Sequence, residues 1–245
     1  MEFCEKKIPF IMPILGRVKS PEFQTVINNE KAIGCLGDYR ELFLHIYDSQ
    51  DIEEVLSNIT EKMNNIRIIL FSENDIDNTN IIDEYVISTE IFFIWEEQNL
   101  KSNNYDYGYF AREENINELI ELEKSYIDEE IGWMKSERKL ELRQFYERKI
   151  QKHYVYINGE DISCKIEIKS QYANYEEIGG IFTKKSMRGK GIATKCLSGF
   201  LRCASEKGLK IVLNTRINNL QANKLYKSLG FVPIGNVYYM TKRES

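Results

Sequence analysis

Apolar positions along the chain recur at two spacings, and the alternation between them lays out an α/β order. Leu42–Tyr47 and Arg67–Phe71 have the length and composition of short strands, Asp51–Asn64 has helical spacing with Asp51 as its cap, and Val86–Trp95 reads as a longer strand. After the polar stretch Lys101-Ser102-Asn103-Asn104 the pattern resumes with a strand at Tyr107–Ala111. Helices follow near Asn115–Tyr126 and Glu137–Gln151, where Leu140, Phe145 and Ile150 mark an apolar face, and then strands at Tyr154–Ile157 and Cys164–Lys169. Asn158-Gly159 sits between strand-like runs and signals a hairpin, because both residues tolerate positive φ. Next come a strand at Glu176–Thr183 and a glycine turn. A helix from Ile192 to Lys207 puts Ala193, Cys196, Leu197, Phe200, Leu201 and Ala204 on one face and stops at Gly208. Ile211–Asn214 reads as a buried strand and Asn219–Leu229 as a helix ending at Gly230. The polar stretch divides the chain into a smaller α/β domain, residues 1–103, and a mixed α+β domain, residues 104–245.

With 245 residues, 42% of them hydrophobic, the chain can bury a core without help from metals or disulfides. The five cysteines, Cys4, Cys35, Cys164, Cys196 and Cys203, show no C-x-x-C spacing, and only His45 and His153 could join them. Neither zinc nor a disulfide framework is expected, which fits a reducing, cytoplasmic setting. The longest apolar runs, Ile8 to Leu15 and Ile91 to Trp95, fall well short of the roughly 20 residues of a membrane span, and Glu2 and Glu5 disfavour a secretory signal.

Charge is uneven. Residues 1–103 hold 9 Lys and Arg against 19 Asp and Glu, leaving 24 against 19 in residues 104–245. The basic half carries the glycine turn and suits an anionic ligand, although surface variation between domains gives the same asymmetry. A net charge of −5 argues against general nucleic-acid binding.

The turn is Arg188-Gly189-Lys190-Gly191-Ile192-Ala193. Its glycines let main chain approach an anion, and the helix behind it offers unpaired N–H groups and a positive dipole end, a fit for pyrophosphate. It lacks the spacing and final Gly-Lys-Ser/Thr of an ATP-binding loop, and Thr194 stands where a dinucleotide fingerprint needs its third glycine. ATP and NAD are therefore poor guests. A purely structural strand-to-helix connection is the plain alternative.

The succession of strand, R-x-x-G-x-A turn, helix, strand, N-x-x-A-x-x-L-Y helix and Gly-Phe resembles the acyl-CoA-binding core of the GNAT superfamily of N-acetyltransferases. The resemblance spans residues 107–240 and is tightest from Glu177 to Phe231. Arg188, Gly191, Ala193, Asn219, Ala222, Tyr226, Gly230 and Phe231 anchor it. It implies a mixed, mostly antiparallel sheet flanked by helices, with acetyl-CoA as acyl donor and no metal. It also implies that amides of Arg188, Gly189, Lys190, Gly191, Ile192 and Ala193 hold the pyrophosphate, while Ile181, Phe182 and Thr183 align with the pantetheine arm as an added strand would.

The resemblance further implies that Tyr226 returns a proton to the departing thiolate, a transfer that suits a phenol at about 10 against a thiol at about 8.5; a tyrosine packed in an amphipathic helix is the plain alternative. Asn219 would cap the last helix and touch pantetheine. The general base is assigned to Glu177, with Glu176, Glu129 and Glu130 as alternatives; solvated carboxylates are the plain reading of each. His153 and Cys196 are read as structural. The acceptor would be a small-molecule or protein primary amine, with no nucleic acid and no membrane, and an acidic residue 1–103 domain beside the acceptor site would favour a cationic one. Residues 1–103, which nothing anchors, are a candidate degenerate half-copy of the same fold. Two other readings stay open: a non-catalytic CoA-binding sensor or interaction module, and an acyltransferase for a longer acyl-CoA, for which Gly179-Gly180 leaves room.

Overall fold

The computed structural model describes residues 7–18, 24–37, 40–62, 66–76, 83–97, 108–131 and 142–243. In chain order the elements are α1 (Ile8–Val18), β1 (Gln24–Asn28), β2 (Ala32–Leu36), β3 (Glu41–Ile46), α2 (Ile52–Lys62), β4 (Arg67–Ser72), β5 (Tyr85–Trp95), β6 (Tyr109–Phe110), α3 (Ile116–Tyr126), α4 (Leu142–Lys149), β7 (His153–Asn158), β8 (Asp161–Tyr172), β9 (Tyr175–Thr183), α5 (Ile192–Glu206), β10 (Lys210–Arg216), α6 (Leu220–Ser228) and β11 (Val232–Lys242). The architecture is the expected mixed α/β type. Strand β3 pairs with β4 and β9 with β10 in parallel, whereas β1 with β2, β2 with β3, β4 with β11, β11 with β5, β5 with β10, β6 with β7 and β7 with β8 are antiparallel.

The chain forms two compact units. One comprises residues 1–96, 170–177 and 210–245, the other residues 97–169 and 178–209. The expected boundary at 103/104 lies outside the described residues. The units divide differently because β10 and β11 hydrogen-bond to β5 and β4 and so group with the first part of the chain.

In the first unit the strand order is β1-β2-β3-β4-β11-β5-β10, with Tyr175–Glu177 of β9 beside β10. Side chains alternate across each strand, so β4 sends Ile68 and Leu70 to the α2 side and Ile69 and Phe71 to the α1 side. Helix α1 was visible in the sequence only as an apolar run. It forms in spite of Pro13, whose carbonyl accepts from Arg17 Nη1 at 2.8 Å. Helix α2 is entered through a 3-10 turn, Ser49–Asp51, and its cap is Asp48 rather than Asp51: the Asp48 carboxylate accepts from Gln50 N at 3.0 Å.

The second unit has β9, β8, β7 and β6 in that order, with α3, α4 and α5 packed on them. Leu119 and Leu122 of α3, Tyr146 of α4, Val155 of β7 and Phe182 of β9 share one core. The hairpin between β7 and β8 is shifted by one residue from the expected Asn158-Gly159. Asn158 pairs with Asp161, so Gly159-Glu160 forms the loop, and Gly159 takes the left-handed conformation at φ 82°. Two expected segments are only partly described, since Tyr107 and residues 132–141 lie outside the described residues.

Candidate active site

In the second unit, β9 runs into a 3-10 turn, Lys185–Met187, and then into α5. Gly189 and Gly191 both have left-handed backbones, φ 75° and 70°, and a Cβ on either would meet nothing within 4 Å. These positions require glycine for conformation, and their outer side is open. Gly191 is the N-cap of α5 and supplies no capping side chain, and the first turn carries no acidic residue. Amides from Gly189 to Thr194 make no main-chain hydrogen bond among the described residues. A helix of 15 residues therefore presents an unneutralised positive end.

Arg188 is committed elsewhere. Its Nε donates to Thr183 O at 3.1 Å, Nη2 pairs with Glu129 at 2.7 Å, and the guanidinium lies over the Phe182 ring. Its amide donates to Lys185 O at 3.3 Å, which leaves the anion-facing amides to Gly189 and its successors. The guanidinium instead braces the end of β9, where Phe182 is buried edge-on to Tyr126 and Thr183 Oγ1 reaches Cys164 Sγ at 3.4 Å.

Gly180 interrupts β9 with φ 53°, a left-handed residue inside a strand, as at a bulge. Behind it lies Lys165, with 0% exposure, its Nζ 3.1 Å from Gly180 O and 2.7 Å from Glu123 Oε2. Tyr146 OH donates to the same Glu123 oxygen at 2.9 Å. Burial alone would raise the Glu123 carboxyl, but Lys165 holds it below the usual carboxylate range. Glu167 behaves likewise: burial is outweighed by Lys169, His153 and Lys165, which pull it down to about 2.

In the first unit, Asn219 caps α6, its Oδ1 accepting from Ala222 N at 3.2 Å. Asn223, which sequence reasoning passed over, donates to the carbonyls of Arg216, Ile217 and Asn219 at 3.1, 3.1 and 2.9 Å and fixes the link from β10 into the helix. Trp95 Nε1 closes the other end on Leu229 O at 3.1 Å. Between these fastenings, Tyr226 is 7% exposed, its ring against Phe93 and Phe231 at centroid distances of 6.0 and 5.7 Å.

Glu177 is 4% exposed, and both of its oxygens are occupied. Arg17 Nη1 and Ser170 Oγ donate to Oε2, the latter at 2.7 Å, and Arg17 Nη2 donates to Oε1 at 3.1 Å. The carboxylate ties the last turn of α1 to β9. Glu176 is buried, Glu129 is taken by Arg188, and the Glu130 side chain lies outside the described residues. His153 is fully buried, with Nδ1 on Lys149 O at 3.0 Å, and burial pushes it down to about 4. Cys196 is buried beside Cys164, and burial raises its thiol well above the usual range, so it is inert. Among the described residues there is no group of three or more His, Cys, Asp or Glu able to hold a metal, and no helix long and apolar enough to cross a membrane.

Residues 114–231 match the profile of the Acetyltransferase (GNAT) family. Among solved structures, a GCN5-related N-acetyltransferase from Kribbella flavida is similar at 13% identity with a TM-score of 0.68, covering 100% of this chain and 98% of that one. A GNAT-family acetyltransferase from Colwellia psychrerythraea is similar at 16% identity and TM-score 0.62, covering 95% and 90%. A functionally unknown conserved protein from Staphylococcus epidermidis is similar at 13% identity and TM-score 0.64, covering 94% and 97%. At these identities the structures establish a shared fold. No match was found among curated proteins.

Proposed function

From the premise that residues 114–231 are a GNAT acetyltransferase domain, we propose that the chain moves the acetyl group of acetyl-CoA directly onto a primary amine. The observation that carries this reading is the bare N-terminus of α5, where two left-handed glycines open on one side and six successive amides are unspent. Pyrophosphate satisfies such donors and the dipole behind them. Gly189 to Ala193 hold it, with Lys190 adding charge. Ile181, Phe182 and Thr183, from a stretch of β9 that β10 does not pair, offer main chain to the pantetheine amides. A main-chain amide near Phe182 or Thr183 meets the oxyanion.

Tyr226 donates the proton that neutralises the departing sulfur. Its aromatic seat against Phe93 and Phe231 fixes the ring, so the hydroxyl is delivered without a search through rotamers. Asn219 serves first as the cap that orients this helix. Glu177, bound on both oxygens, positions α1 against β9, and the proton of the amine goes elsewhere.

Residues 1–103 are read as a degenerate copy of the fold that residues 104–245 carry in working form. The order β1-β2-β3-α2-β4, with β4 parallel to β3, matches β7-β8-β9-α5-β10, with β10 parallel to β9. The copy has lost the anion site. Where α5 begins with glycine and free amides, α2 begins behind the Asp48 cap with Glu53 and Glu54 in its first turn. Its acidic surface favours a cationic acceptor.

An acyltransferase for a longer acyl-CoA is the second reading; beside the strand in question, a Cβ on Gly179 would meet Lys169 Cε at 3.1 Å and one on Gly180 would meet Lys165 Nζ at 3.2 Å. Titration calorimetry with acetyl-CoA and CoA, on the full chain and on Gly191→Trp, tests the donor site. Binding lost in the variant is expected, and no binding by the folded full chain overturns the assignment. Thiol release with acetyl-CoA and longer acyl-CoAs across a panel of primary amines then separates an enzyme from a non-catalytic CoA-binding module.

A further inference from the structure

Strand β9 carries two glycines side by side, and both stand against one face of β8. A Cβ built on Gly179 would meet Lys169 Cε at 3.1 Å, and one built on Gly180 would meet Lys165 Nζ at 3.2 Å and Glu167 Oε2 at 3.4 Å. Lys165, Glu167 and Lys169 are alternate residues of β8 and share a face. Consecutive residues of a regular strand face opposite ways, so β9 takes up one extra residue at Gly179-Gly180, and the left-handed Gly180, at φ 53°, absorbs it.

Beyond this bulge, hydrogen bonds at both ends of a short stretch fix which way the main chain of β9 points. Lys184 N donates to Ser163 O of β8 at 2.9 Å. The C=O and N–H of a trans peptide point in opposite directions, so Thr183 O faces away from β8, where it accepts from Arg188 Nε at 3.1 Å. At the other end Gly180 O accepts from Lys165 Nζ of β8 at 3.1 Å. The N–H of Ile181 belongs to the same trans peptide as Gly180 O and therefore faces away from β8, as does the N–H of Thr183 two residues on. Phe182 has the opposite sense: its amide faces β8, and its ring meets Tyr126 of α3.

Lys165 is itself held from two helices. It has no exposure to solvent, and its Nζ lies 2.7 Å from Glu123 Oε2 on α3 and 4.8 Å from the centroid of the Tyr126 ring. Tyr146 OH of α4 donates to the same Glu123 oxygen at 2.9 Å. Apolar side chains of similar volume can often replace a buried ion pair without loss of stability. What they cannot supply is a donor for Gly180 O.

We propose that Lys165 is a positioning residue for the acyl donor: acting through Gly180 O, it turns the amides of Ile181 and Thr183, and not that of Phe182, toward the pantetheine arm and acyl group of acetyl-CoA. The inference rests on the acetyl-CoA reading and adds the register of the contact; every group it uses belongs to the second unit. Thr183 O is taken by Arg188, so the arm meets Ile181 N–H, Ile181 O and Thr183 N–H. The ammonium also polarises the peptide whose carbonyl it binds, which strengthens Ile181 N–H as a donor.

The test compares the full chain with Lys165→Met/Glu123→Gln, in which neither partner's charge is stranded and Tyr146 OH keeps an acceptor. Calorimetry uses two probes: acetyl-CoA, and adenosine 3′-phosphate 5′-diphosphate, which has the pyrophosphate of CoA and no pantetheine arm. The expected result is nucleotide affinity within twofold of wild type and acetyl-CoA affinity lower by about tenfold, the share of one or two hydrogen bonds. A folded variant in which both affinities fall together, or neither falls, overturns the proposal. Amide hydrogen exchange on the wild type reads the register directly and needs no variant. Acetyl-CoA, but not the nucleotide, should slow exchange at Ile181 and Thr183 and leave Phe182 as it was. Slowed exchange at Phe182 with Ile181 unchanged overturns the proposal and leaves acetyl-CoA binding standing. Wild-type protein that binds neither probe overturns both the proposal and the reading beneath it.

Discussion

Lys165 Nζ donates to the carbonyl of Gly180 at 3.1 Å and sits 2.7 Å from Glu123, with no exposure to solvent. A charged group is thus spent on holding the one left-handed residue of β9 in place. Lys165→Met should strand Glu123 in the core and destabilise the protein by about 3–5 kcal/mol. Lys165→Met combined with Glu123→Leu should recover most of that loss, while leaving Gly180 O without its donor. Urea denaturation of the single and double variants checks the first statement, and their acetyl-transfer kcat tests whether the bulge matters to chemistry. A single variant as stable as wild type would refute the coupling.

Tyr226→Phe keeps the ring contacts to Phe93 and Phe231 and removes only the hydroxyl. Acetyl-CoA affinity should stay within twofold while turnover falls by roughly 10²-fold, the usual range for a lost general acid. Calorimetry and steady-state kinetics on the same preparation read both numbers. Equal turnover in the two proteins removes Tyr226 from the mechanism.

Arg17→Met removes both donors that bind Glu177 across the α1–β9 contact. An uncompensated enclosed carboxylate should destabilise the first unit by about 3–5 kcal/mol. If Glu177 serves only as a tie, Arg17→Met with Glu177→Leu should regain stability and retain the acidic limb of the pH–rate profile. Loss of that limb in the double variant would return Glu177 to the role of base.

Acid should weaken the fold as the two buried histidines are forced to take up protons. Burial holds both His45 and His153 down to about 4. Between about pH 6.5 and 4 the unfolded chain binds protons at these sites that the folded chain refuses, so stability falls as pH drops through that window. The loss should be on the order of 2–3 kcal/mol per histidine at its lower end. Glu167 acts in the next window down: with its folded value at about 2, its stabilisation is present above about pH 4.3 and disappears toward pH 2. A urea midpoint that stays flat from pH 7 to 4.5 would contradict the histidine assignment.

The glycine turn, α5, β10 and α6 were readable because local signals agree there, with glycines at both ends of α5 and an asparagine cap on α6. Helix α1 and strand β11 were hidden by breakers that tertiary structure tolerates. Pro13 lies inside the helix, and Pro233 and Gly235 fall at a register shift of β11 against β5. Polar site residues were less legible still, because their meaning is assembled over long stretches of chain. Lys165 looks like any outward strand residue until Glu123 of α3 and the carbonyl of Gly180 close on it. Glu177 looks available until Arg17, 160 positions away, binds it.

Strand β11 lies between β4 and β5 and hydrogen-bonds to both along most of its length. During synthesis, therefore, β4 and β5 must wait as two unpaired edges until more than 140 further residues have left the ribosome. Such edges, one of them carrying Ile68 to Phe71 and the other Ile91 to Trp95, are templates for pairing with other chains. The first half of this protein is made early but can finish folding only late, and its yield in a cell should depend on chaperones that cover β4 and β5 in the interval.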